Sequence, residues 1–90
     1  MIEAIHIIVH GRVQGVWFRA GAKERADELG LFGWVKNQPE GTVEIHAEGK
    51  KLRLENFISW CRKGTPAANV TSLNLNQTSL QNFTSFEIRS

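Results

Sequence analysis

The stretch IEAIHIIVHGRVQGVWFRAGAKERADEL, Ile2 to Leu29, changes its hydrophobic period once, and that change sets the architecture. From Ile2 to Val9 the residues are β-branched and apolar, with Ile5, Ile7 and Val9 on one face of a strand and His6 and Ile8 on the other. Apolar residues on both faces predict a central strand. From Phe18 the period is helical. Phe18, Ala22, Ala26 and Leu29 form one stripe, Lys23, Glu24, Asp27 and Glu28 lie off it, and Gly30 stands where a helix C-cap is expected. Gly11 to Trp17, between the two, follows neither period.

Working outward, Leu31 to Lys36 reads as a second strand, Asn37 to Gly41 as a turn, and Thr42 to Glu48 as a third strand. Val43, Ile45 and Ala47 alternate there with polar neighbours, which predicts a hairpin with one solvated face and a solvated His46. After Gly49, Leu54, Phe57, Ile58 and Cys61 recur at i, i+3, i+4 and i+7, a helix stopped by Gly64-Thr65-Pro66. Val70 to Leu75 and Thr84 to Ile88 are weaker strands, with Leu73, Leu75, Phe86 and Ile88 expected to point inward. The order β-α-β-β-α-β plus a short terminal strand predicts an α+β ferredoxin-like split β-α-β sandwich. In it an antiparallel sheet carries both helices on one face, and residues 1–90 form one domain.

Composition narrows the function classes. The chain is 41% hydrophobic and 22% charged, ordinary globular usage and too apolar for a disordered segment. Lys and Arg outnumber Asp and Glu by 11 to 9, which favours a small anion over a nucleic-acid polyanion. No apolar run approaches membrane-spanning length and no basic leader precedes one, so a cytoplasmic location without a membrane partner is expected. Cys61 is the sole cysteine, which excludes an intrachain disulfide or a cysteine-rich metal site and points to a packed thiol. His6 and His10 share a face of the first strand but lie about 13 Å apart along it, too far to share one ion. No metal and no cofactor are expected.

The segment with chemical potential is Gly11-Arg12-Val13-Gln14-Gly15-Val16-Trp17-Phe18-Arg19. It joins a buried strand to a helix N-terminus, where backbone N–H groups lack intrahelical partners and the helix dipole adds partial positive charge. Gly11 and Gly15 permit backbone angles and close approach that a side chain would forbid. A phosphate therefore suits the curled N–H groups of Val13, Gln14, Gly15, Val16, Trp17 and Phe18. Arg19, in the first turn, can reach back with a two-pronged guanidinium. The Gly-Lys-[Ser/Thr] ending of a nucleotide-binding loop is absent. A Gly-containing turn followed by a solvated Arg is the plainer alternative.

The run GRVQGVWFR, with GWVKN at Gly33 to Asn37 and GTVEIHAEG at Gly41 to Gly49, closely resembles the acylphosphatase family. PAANVTSL from Pro66 and FEI from Phe86 extend the resemblance over most of the chain. What the resemblance implies is hydrolysis of small acyl phosphates to carboxylate and inorganic phosphate. Arg19 would be catalytic, the loop N–H groups would bind phosphate, Asn37 would place the attacking water, and a substrate phosphate oxygen would take its proton. Thr42, after the hairpin glycine, would support Asn37 or serve only as a strand former. The chain departs from common family patterns in its bulky Trp17, in Ala20-Gly21 at the helix start and in its lack of tyrosine.

Three other readings share this element order or site. An RNA-recognition domain of the same order needs aromatic residues on the middle strand, where Thr42 to Glu48 carries two acids and no aromatic residue but His46. A metal chaperone needs a cysteine pair that the first loop lacks. The alternative within the same site chemistry is a non-catalytic phosphate-binding module acting with a partner protein. The short chain favours an independent, monomeric enzyme whose only partners are an acyl phosphate and its phosphate product.

Overall fold

The computed structural model describes residues 1–90 and contains seven elements: β1 (Ile2–Arg12), α1 (Phe18–Glu28), β2 (Phe32–Asn37), β3 (Val43–Lys50), α2 (Lys51–Lys63), β4 (Asn69–Thr78) and β5 (Phe86–Arg89). The strands form one sheet in the order β4-β1-β3-β2-β5. β1 pairs antiparallel with β3 and β4, and β2 antiparallel with β3. The terminal strand departs from the antiparallel expectation, because β5 runs parallel to β2, with Gly33 opposite Phe86 and Val35 opposite Ile88. The loop after β4 carries the chain across the sheet to its far edge, so the last strand arrives in the direction of β2.

Register places Ile5, Ile7 and Val9 beside Ala47, Ile45 and Val43 on the face that the helices cover. Fully buried Phe57 and Cys61 of α2, and Ala22 and Ala26 of α1, pack onto that face. Burial raises the Cys61 thiol well above its ordinary range, although Arg62 pulls the other way, so Cys61 is an inert packing group. α1 ends in a paired reversal. Leu31 N–H donates to the Ala26 carbonyl at 2.9 Å and Gly30 N–H to Asp27 at 3.1 Å, with Gly30 at φ 68°. That reversal turns Leu31 into the core and starts β2.

Element edges shift by a few residues from the sequence reading. β1 runs on to Arg12, Asn37 closes β2 rather than opening the turn, and Thr42 lies just before β3. Leu75 and Ile88 occupy the helix-side face as expected, yet are 40% and 44% exposed, because they sit on edge strands beyond the helices' reach.

The opposite face overturns one expectation: His46 is buried, not solvated. The chain between β4 and β5 folds back over it, and Phe83 meets its ring edge-on at 5.3 Å while Trp34 stacks at 6.2 Å. His46 Nε2 lies 2.8 Å from Glu48 Oε2. Glu48 in turn accepts from the backbone N–H groups of Gln81 and Phe83, at 2.5 and 3.2 Å. A strand carboxylate thus fastens a loop more than thirty residues away in sequence, a link invisible to periodicity.

Burial pushes the Glu48 carboxyl up, but the Gln81 N–H, His46 and the Phe83 N–H together hold it below its ordinary value. A depressed carboxyl contributes stability that is present above the unfolded value of about 4.3 and lost as pH falls through the lower folded value. Glu48→Gln should therefore cost about 2 kcal/mol at pH 7, measured by urea denaturation, and its deficit relative to wild type should shrink as the pH is lowered into that acid range.

Candidate functional site

The segment between β1 and α1 is held from within. Val13, Val16 and Phe18 are 1%, 5% and 1% exposed and form part of the core. Burying side chains of this size contributes about 1.5–3 kcal/mol each, more than the backbone entropy of ordering a residue at about 1–2 kcal/mol. Phe18 packs on Trp60 of α2 with centroids 5.2 Å apart. Gly21, which lacks a side chain for that reason, leaves room for the Trp60 ring: a Cβ there would lie 2.8 Å from it.

Two side chains tie the loop to its surroundings. Gln14 Nε2 donates to the carbonyls of Gln38 and Thr42, at 2.7 and 2.8 Å, and so joins the loop to the β2–β3 turn. Thr65 Oγ, just after α2, donates to the Val16 carbonyl at 2.6 Å. Sequence reasoning assigned only the Gln14 backbone and missed Thr65, because the bonded groups lie 24, 28 and 49 positions apart in the chain.

With inward side chains and anchored carbonyls, the backbone N–H groups of residues 13–20 are left without an acceptor in the protein; the first in this region to find one is Gly21, which donates to Trp17 at 3.0 Å. Gly15 at φ 73° and Trp17 at φ 66° adopt left-handed backbone, which curls successive N–H groups into a concave run. A Cβ on Gly15 would meet nothing within 4 Å, so its backbone angle, not space, calls for glycine. Gly11 also has a left-handed backbone angle, at φ 123°. It sits at the irregularity between β1 and β4, where a Cβ would strike the Asn69 carbonyl, so its close approach is to β4.

Val13, Gly15, Trp17, Phe18, Arg19 and Asn37 line one cavity of about 300 Å³, completed by Ala20 and Ile88. Gln14 and Val16 lie behind it as anchors. Arg19 Nη1 donates to the Arg89 carbonyl at 3.2 Å, which holds the guanidinium between α1 and β5. Arg89 is itself placed with its guanidinium over Trp34 at 5.1 Å and Phe83 at 5.5 Å. Asn37 ends β2 on the helix-side face, and its Oδ1 is buried without a hydrogen-bond partner in the protein. Such an acceptor costs about 1–3 kcal/mol, which a hydrogen-bond donor held there would recover.

Thr42 does not support Asn37 through its hydroxyl; Oγ1 donates to Glu40 at 3.0 Å. Its carbonyl instead receives Gln14 and the Gln38 N–H. Behind the turn, Glu44 accepts from Gln38 and meets His6 at 2.6 Å and Lys36 at 3.6 Å. His10 bonds Asn74 of β4, so the two histidines serve separate strands. The cavity wall carries no Asp, Glu, His or Cys. An anion seat with one fixed cation and one oriented amide is what the arrangement offers.

A family model described as acylphosphatase matches residues 5–88. An acylphosphatase of Methylococcus capsulatus is 46% identical over 88 residues, 97% of this chain and 96% of that protein. The crystal structure of acylphosphatase from Bacillus subtilis superposes with a TM-score of 0.95 at 41% identity, covering 100% of both chains. An acylphosphatase structure from Coxiella burnetii gives a TM-score of 0.95 at 36% identity, covering 98% of this chain and 93% of that one.

The loop's tie to the turn has a direct check. Gln14→Ala should destabilise the fold by about 1–2 kcal/mol and raise amide hydrogen exchange at Gly41, whose N–H donates to the Gln38 carbonyl, while leaving exchange in β1 unchanged.

Proposed function

The chain belongs to the acylphosphatase family, and from that premise we propose how its residues carry out the reaction. The protein is a hydrolase of acid anhydrides that cleaves the carboxyl-phosphate bond of acyl phosphates to carboxylate and inorganic phosphate. In our reading the phosphoryl group sits on the unpaired N–H groups of Val13, Gln14, Gly15, Val16, Trp17 and Phe18. Arg19 holds two of its oxygens, and Asn37 aims a water in line at phosphorus. The observation that supports this reading is the run of backbone donors without acceptors, of which Val13, Gly15, Trp17 and Phe18 line the same cavity as Arg19 and Asn37.

The chemistry asks little more. A carboxylate is a good leaving group, so catalysis rests on fixing the phosphoryl group, spreading charge over its equatorial oxygens and aligning the nucleophile. Preorganised N–H dipoles and a guanidinium need no rearrangement as charge develops. Asn37 is neutral and takes no proton; its oxygen accepts a hydrogen bond from water and directs the lone pair. With no carboxylate, imidazole or thiol on the cavity wall, the water's proton passes to a phosphate oxygen of the substrate. The same donor set offers no seat for a metal ion, and we propose a metal-independent reaction.

We propose further that residues 1–90 act as one domain and as a monomer. A cytoplasmic setting suits the lone buried thiol. No helix is long and apolar enough to cross a membrane.

Benzoyl phosphate hydrolysis in EDTA, followed by ultraviolet absorbance, tests the assignment. Arg19→Ala should lower kcat/KM by at least about 10³-fold, and Asn37→Ala should lower kcat by about 10²-fold with KM little changed. A raised KM at unchanged kcat for Asn37→Ala would remove its water-positioning role. Exposed Glu55 of α2 serves as the control and should retain wild-type rates.

A further inference from the structure

Trp17 is 80% exposed, more open than any other large apolar side chain except Met1. Water-exposed indole is unfavourable apolar surface. Trp34 and Trp60 each stack on a neighbouring ring, whereas Trp17 meets no ring and no cation. Its backbone at φ 66° is one that bulky residues rarely adopt. That conformation turns the indole away from the core residues Val16 and Phe18 on either side of it. The same side chain borders the cavity that holds Arg19 and Asn37.

The cavity has two walls. β2 and β5 supply Asn37 and Ile88; the loop and the start of α1 supply Trp17, Arg19 and Ala20. In an in-line displacement the attacking and leaving oxygens lie on opposite sides of phosphorus. A water held at Asn37 therefore sends the carboxylate oxygen, and the acyl group beyond it, toward the loop wall. Phe18 and Val13 are buried beneath the seat, so the acyl group extends outward, past the exposed indole.

We propose that Trp17 contacts the acyl group of the substrate and tilts this enzyme toward aromatic acyl phosphates over short aliphatic ones. The inference rests on the phosphoryl seating proposed above. Trp17 offers a flat π-surface against which an aryl ring can stack, and an acetyl group is too small to reach or cover it. Phosphate recognition and acyl preference thus reside in one residue, through its backbone N–H and its side chain respectively.

The test compares benzoyl phosphate with acetyl phosphate in wild type, Trp17→Asn and Trp17→Phe. Asparagine tolerates left-handed backbone, and phenylalanine restores a ring. The ratio of kcat/KM for benzoyl over acetyl phosphate should fall about five-fold in Trp17→Asn and return to within about two-fold of wild type in Trp17→Phe. Equal losses on both substrates, with the ratio unchanged, would mean that Trp17 serves only the loop's shape and would overturn the inference. A lowered ratio that phenylalanine does not restore would overturn it as well. Failure of the underlying reading looks different: wild-type protein would hydrolyse neither substrate, and the inference would fall with it.

Discussion

Everything at the site follows from three side chains pointing the wrong way for a binding loop. Val13, Val16 and Phe18 are core residues, so the segment between β1 and α1 is tethered to the interior through its side chains and must present its backbone to the outside. The Val16 carbonyl is drawn to Thr65 and that of Trp17 to the Gly21 N–H. The N–H groups of residues 13–20, by contrast, meet no acceptor. Exposing donors costs little while water satisfies them, and a phosphate oxygen satisfies them better because it is charged. The loop is rigid for the same reason that the core is packed.

The rest of the molecule fixes the distance between that loop and the two side chains, Arg19 and Asn37, that line the same cavity. Asn37 is placed by the β2–β3 hairpin, whose turn is fastened to the loop by Gln14 and buttressed from behind by Glu44, His6 and Lys36. Arg19 is placed by α1 and steadied by the Arg89 carbonyl of the terminal strand. β5 in turn depends on the covered back of the sheet, where Trp34, Phe83 and Arg89 stack beside the His46–Glu48 pair. Side chains on the face away from the helices therefore bear on geometry at the cavity through a parallel edge strand only four residues long.

Local patterns announced the element order, because Ile5, Ile7 and Val9 show the strand period and Phe18, Ala22 and Ala26 the helical one. The strand-to-helix junction singled out the loop and Arg19 and the family motif Asn37, and the fold brings them to one cavity. Illegible features share one property: they join groups far apart in the chain. The direction of β5, the burial of His46 and the anchoring by Gln14 and Thr65 each depend on where a distant segment comes to rest, which periodicity does not encode. Gly11 has the left-handed backbone angle expected of it, at φ 123°, with its close approach made to β4, and of the two readings of Thr42 the hydroxyl's bond to Glu40 leaves the strand former.

The central claim is that the anion seat consists of the loop's backbone donors. Titrating inorganic phosphate into isotopically labelled protein and following each amide resonance tests it without relying on turnover. The account predicts saturable shifts concentrated in the N–H groups of residues 13–20, joined by the Arg19 side chain and the Asn37 amide. Shifts centred elsewhere, such as the lysine-rich start of α2 at Lys50 and Lys51, or shifts that grow without saturating, would contradict it.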